Sequence, residues 1–121
     1  MNLSNPTITA TQSGDRWTLT ASVTENFSRE EINANFQFED FVTFWEWDTS
    51  DHDFLTNTRT ERFRPNSLSH RFTWTWSNIP GDVLDTELGG EEIRAQFHLK
   101  NVTTSSGEVS VFSPILQISP G

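Results

Sequence analysis

The chain of 121 residues contains no cysteine and no tyrosine, and has 8 lysines and arginines against 17 aspartates and glutamates. Without thiols there is no disulfide, no thiolate zinc site and no iron–sulfur ligation by cysteine. A net charge of −9 argues against nucleic acid as a partner, because that affinity comes from cations that neutralise phosphates. No apolar run approaches the roughly 20 residues that a membrane helix needs. The opening MNLSNPTITATQSGD has neither a basic start nor an apolar stretch, so neither a signal peptide nor a membrane span is expected. A chain of this length is expected to form one domain, 1–121, with a core that stands without metal or cross-link.

What the chain has in quantity is alternation. In Arg16-Trp17-Thr18-Leu19-Thr20-Ala21-Ser22-Val23-Thr24 every second side chain is apolar, the period of a half-buried strand. The same pattern recurs in 32–38 (INANFQF), 72–76 (FTWTW) and 93–99 (IRAQFHL). Shorter runs lie at 7–10, 41–47, 109–112 and 115–118, and Ser13-Gly14-Asp15, Asn78 to Asp82, Gly89-Gly90 and Ser105-Ser106-Gly107 supply turns between them. Ser28 and Glu31 fit a capping box, but the stretch flows into a strand-like run and reads as a short turn. Pro114 breaks the last run, which marks it as an edge strand that changes partner midway. About seven to eight strands without intervening helices predict an all-β fold, an antiparallel β-sandwich.

The opening PTITATQSGDRWTLTASVT resembles the first hairpin of immunoglobulin-like or fibronectin type III-like domains, and the ending GEEIRAQFHLKNVTTSSGEVSVFSPILQIS resembles their last. The resemblance implies an immunoglobulin-like sandwich and says nothing of a ligand.

Charge is unevenly spread: residues 1–58 sum to −8, 59–71 to +3 and 72–121 to −4. The basic island Arg59-Thr60-Glu61-Arg62-Phe63-Arg64 interleaves guanidinium forks with an aromatic ring. Arg59, Arg62, Phe63 and Arg64 are therefore the candidate contact patch for an acidic protein surface, although the same arginines could pair with this chain's own acids.

The segment 44–55, FWEWDTSDHDFL, places Glu46, Asp48, Asp51 and Asp53 where a strand meets a loop. Hard cations take several oxygen ligands from such loops, so Asp48, Asp51 and Asp53 are candidate calcium ligands. The string also resembles a calcium loop of C2 domains, and Asp82, Asp85, Glu87, Glu91 and Glu92 could supply further oxygens. An acidic loop kept solvated by its charge explains it equally. Glu46-x-Asp48-x-x-Asp51 faintly resembles the Glu-x-Asp-x-x-Glu signature of jelly-roll glycosidases, in which paired carboxylates cleave a sugar. The aromatic residues Phe41, Phe44, Trp45, Trp47, Phe63, Phe72, Trp74 and Trp76 read either as core or as a sugar-stacking platform. His98 falls on the polar face of its strand and is expected in solvent.

No nucleophile, base and oxyanion donor can be assembled. The leading expectation is a non-catalytic binding module that engages a protein partner through an edge strand or loops, with self-association of open edges a further route. A calcium-dependent membrane- or carbohydrate-binding module and a small glycoside hydrolase are the alternatives. Calcium held at 48–53 predicts that millimolar calcium raises the melting midpoint over that in EDTA, by about 2.7 kcal/mol of stability at a hundredfold excess over Kd. The same prediction has Asp51→Asn abolish the shift without harming the apo fold.

Overall fold

A computed structural model of the chain describes residues 1–48, 51–84 and 90–119. The described elements run β1 (Asn2–Ser13), β2 (Arg16–Asn26), α1 (Arg29–Asn33), β3 (Phe38–Trp47), β4 (His52–Asn57), β5 (Glu61–Phe63), β6 (Ser69–Pro80), α2 (Gly81–Leu84), β7 (Glu91–Asn101), β8 (Val109–Phe112) and β9 (Leu116–Ile118). Every strand pair is antiparallel. One sheet has the order β1-β2-β6; the other has β4-β3-β7-β8, with β5 also on β3 and β9 also on β7. The fold is the expected all-β sandwich.

The period of two decides which side chains meet between the sheets. On β2 the inward row is Trp17, Leu19, Ala21, Val23 and Glu25; on β3 it is Phe38, Asp40, Val42, Phe44 and Glu46; on β7 it is Glu91, Ile93, Ala95, Phe97, Leu99 and Asn101. Leu19, Val23, Val42, Phe44 and Ile93 are entirely removed from solvent and form one cluster. A second, smaller cluster of Phe27, Phe38 and Leu99 closes one end. Gly14 turns β1 into β2 with φ 64°, a left-handed conformation that glycine adopts without steric cost.

Two expectations are revised, and the facing of β3 is decided. The alternating run 32–38 is not a strand until Phe38, because Ser28 builds a complete capping box with Glu31 and α1 occupies Arg29–Asn33. Ser28 Oγ accepts from Glu31 N at 3.1 Å, and Ser28 N donates to Glu31 Oε1 at 2.8 Å. Local capping thus outcompetes a weak β pattern, and Ile32 of α1 and Phe36 just beyond it pack on the second cluster. Pro114 does interrupt the last strand, but both halves stay on β7. Ser113 makes this possible: its N–H donates to Ala95 O at 2.8 Å, and its Oγ accepts from Ala95 N at 3.0 Å. Finally, Phe44 and Glu46 face the core while Trp45 and Trp47 face outward, so the face parity of β3 is core against aromatic surface.

Phe44 is fully buried and touches the Trp76 ring at 5.7 Å between centroids. Phe44→Ala is expected to lower the free energy of unfolding in urea by about 3–5 kcal/mol, with the slope of the transition unchanged.

Candidate functional site

The two sheets differ in width, and this creates the most unusual surface. Sheet β1-β2-β6 is three strands across, whereas the facing sheet is four. Strand β1 lies over β7, β8 and β9, so the shortfall falls on the other side, beside β6. There the inward row Phe72, Trp74 and Trp76 stays only partly buried. Trp74 reaches Phe97 at 5.9 Å and Phe72 reaches Phe63 at 5.3 Å, while Trp74, Trp76 and Leu55 pack on the rim of the main core.

The edge of β6 is also open. It is 12 residues long, pairs among the described residues only with β2, and its outward row of Arg71, Thr73, Thr75 and Ser77 is polar and exposed. A long edge with unpaired backbone groups and no proline before its last residue is a template for another strand. Both outer strands of this sheet carry an irregularity: β1 a register shift between Ser4 and Thr7 with Asn5 at φ 51°, and β6 one opposite Trp17 and Leu19 with Asn78 at φ 57°, which leaves Ser69 to Trp76 as the regular stretch of the β6 edge.

The outer face of the four-stranded sheet carries a second aromatic field. Trp47 stacks on His52 at 3.6 Å, Arg94 lies over both Trp47 and Phe112 at 4.8 and 4.9 Å, and Phe41 stacks on His98 at 4.2 Å. Trp45 donates from Nε1 to Gln96 Oε1 at 3.1 Å and meets Phe54 edge-on. A sugar platform needs a free ring face. The faces of Trp47 and Phe41 are instead taken by neighbouring side chains. Phe54 is the most open of these rings, at 56 % exposure.

His98 corrects the expectation of a solvated residue: its side chain is 11 % exposed, its Nε2 lies 2.9 Å from Thr43 Oγ1 and its Nδ1 3.2 Å from Glu108. Arg94 was hidden among the polar positions of β7. Besides its two ring contacts it donates from Nε to Ser113 O at 2.7 Å, bracing the break at Pro114.

The arginines of the patch have partners within the chain, while the Arg59 and Arg62 side chains stay 85 % and 62 % exposed. Arg59 pairs with Glu61 at 2.7 Å and Arg62 with Glu39 at 3.2 Å, while Arg64 donates to the Asn35 carbonyl. Phe63 is not offered outward; it stacks at 6.3 Å on Phe38 and meets Phe27 edge-on at 5.9 Å. In the acidic segment, Asp48 N donates to Asp51 O at 3.0 Å and closes the β3–β4 hairpin, with Asp51 and Asp53 exposed. Among the described residues no three histidine, aspartate or glutamate side chains converge in a way that could hold a metal ion. Thr49, Ser50, Asp85, Glu87 and Gly89 lie outside the described residues. Glu46 is turned into the core row at 2 % exposure, where a carboxylate has no open path to a sugar.

Further carboxyls are buried, Glu91 among them. Glu25 and Asp40, on facing strands of the two sheets, are 1 % and 2 % exposed and meet each other. Burial, with the neighbouring Asp40, pushes the Glu25 carboxyl up to about 10. Burial also raises Asp40, against the lowering effect of its bond with Glu25. The signal was present in the parity of β2, since Glu25 follows Trp17, Leu19, Ala21 and Val23 at the same spacing.

No protein-family model and no curated protein matches the chain. Among solved structures, the crystal structure of Bacteroides uniformis beta-glucuronidase is similar at a TM-score of 0.47 and 16% identity, covering 92% of this chain and 12% of that one. The chain thus spans about an eighth of that enzyme's length. At this level of similarity nothing about activity passes from that enzyme to this chain.

Exposed ion pairs contribute little to stability, because water already solvates both charges. Arg59→Ala is therefore expected to change the free energy of unfolding by less than about 0.5 kcal/mol, read from the urea midpoint.

Proposed function

We propose that the chain is a non-catalytic binding module that takes up an extended segment of a protein partner by strand addition along β6. The observation that carries the reading is the missing fourth strand: β6 is an open edge, regular from Ser69 to Trp76, whose inward Phe72, Trp74 and Trp76 are only partly covered. A strand added there would satisfy the free backbone groups of β6. Its inward side chains would lie over Trp74, Trp76 and Leu55 and bury the remaining ring surface. Main-chain hydrogen bonds then supply affinity, and the alternating apolar side chains supply selectivity. The partner segment is accordingly extended, with apolar residues at every second position.

An immunoglobulin-like or fibronectin type III-like architecture belongs to the same reading. It is supported by the first two strands sharing a sheet with β6, and by β3 pairing with β7 in the other. Such sandwiches present edges and end loops as recognition surfaces on a rigid frame.

Panning a library of random twelve-residue peptides against the domain tests the reading. The selected peptides are expected to alternate apolar and polar residues, to protect β6 amides from hydrogen exchange, and to shift tryptophan emission to the blue. Trp74→Ala should weaken their binding by about tenfold or more, as truncation of an interface aromatic does. Peptides that leave β6 amides unprotected and bind Trp74→Ala unchanged would exclude strand addition, and with it this function.

A further inference from the structure

The inward row of β2 ends in Glu25, and at the same end of the sandwich the inward row of β3 carries Asp40, one place before its terminal Phe38. Beyond them the rows continue into the ring cluster of Phe27, Phe38 and Phe63, with centroids 4.8 to 6.3 Å apart. Read as carboxylates, Glu25 Oε1, Glu25 Oε2 and Asp40 Oδ2 are buried without any donor. Two buried charges without a donor would not persist against rings and aliphatic chains. One proton between the two groups removes the conflict, because the O–H of one carboxyl donates to the carboxylate of the other.

The groups around the pair offer no alternative compensation. Register places Leu3 of β1 and His70 of β6 beside Glu25, and Glu61 of β5 and Leu99 of β7 beside Asp40. His70 Nε2 is engaged with Asn66 Oδ1 at 3.0 Å, and Glu61 adds negative charge. The nearby cations are committed elsewhere: Arg62 to Glu39, Arg71 to Asn5 O, Thr7 and Thr24, and the Met1 ammonium to Glu31.

We propose that Glu25 and Asp40 form a proton-sharing clasp between the two sheets, and that loss of this proton to solvent as pH rises opens the end of the sandwich where β5 and the first residues of β6 lie. This end is the one built to yield. β5 is three residues long and pairs only with Phe38, Glu39 and Asp40 of β3, so Asp40 is one of its few anchors. The inference stands whether or not β6 receives a partner strand.

The direction follows from linkage. The folded chain holds a proton that the unfolded chain releases above the ordinary carboxylate pKa of 4.5. The clasp therefore stabilises fully below that pH, and its contribution falls as pH climbs toward about 10. Glu31 acts oppositely: burial would raise it, but Ser28 and the N-terminal ammonium together hold it below its usual value, so its contribution is lost in acid.

Urea unfolding of the full chain between about pH 6 and about pH 9 reads the clasp, since its share of the unfolding constant grows by up to about tenfold per pH unit. Glu25→Gln places an amide that donates to Asp40 at every pH, and it is expected to remove that dependence. Hydrogen exchange, corrected for intrinsic rates, should show Glu61–Phe63 and Ser69–Phe72 losing protection with rising pH in the wild type but not in Glu25→Gln. Equal pH dependence in the wild type and in both Glu25→Gln and Asp40→Asn would overturn the clasp. Should neither variant fold, the wild type decides alone. Refolded with its N-terminus acetylated, in weakly buffered solution at about pH 8, above the ordinary histidine range, it takes up about one proton per molecule if the clasp exists and none if it does not.

Discussion

The seam between β2 and β3 is the contact on which the rest of the molecule depends. Each strand sends every second side chain into the gap between the sheets, and Leu19, Ala21 and Val23 from one side meet Val42 and Phe44 from the other. Those rows exclude water and set the register of both sheets, because a slip of one residue on either strand would exchange its whole core face for its outer face. β6 and β1 are placed by pairing with β2, and β4, β5 and β7 by pairing with β3.

The same seam accounts for two features that set the functional reading. Its inward rows run on past the apolar residues into Glu25 and Asp40, so two carboxyls are carried to a place where the nearby cations are bound elsewhere, and they share a proton. Its lateral extent is unequal, since β2 has one neighbour on each side while β3 and β7 carry four further strands. The rings of Phe72, Trp74 and Trp76 are left at the margin of a core that ends one strand too early. In both cases a rule that serves the core, alternation in one and pairing in the other, leaves a group unsatisfied at the boundary, and chemistry gathers there.

Much of the fold was legible in the residues. The alternating runs 16–24, 72–76 and 93–99 became β2, β6 and β7 because a period of two has only one way to bury its apolar half. The run 32–38 misled, since alternation of modest apolar residues carries less free energy than a capping box with both of its hydrogen bonds made. The segment 41–47 was legible as a strand but not in its facing. With aromatic residues on both faces, parity alone could not say whether Glu46 or Trp47 looked inward. The arginines showed the converse limit. Their charge was plain in the sequence, but that Arg62 reaches Glu39 depended on β3 lying alongside β5.

By itself the sequence determined an all-β sandwich without metal–thiolate chemistry or disulfides, because residue type and period act locally and need no knowledge of what lies opposite. Only the tertiary structure decided which sheet is narrow, which edge is open, which rings are spent on one another and which two acids meet. Those outcomes depend on pairs of residues far apart in the chain, such as Glu25 with Asp40 and Phe44 with Trp76. A burial or a proton shared across such a pair is a property of the gap between two strands, and neither strand carries it alone.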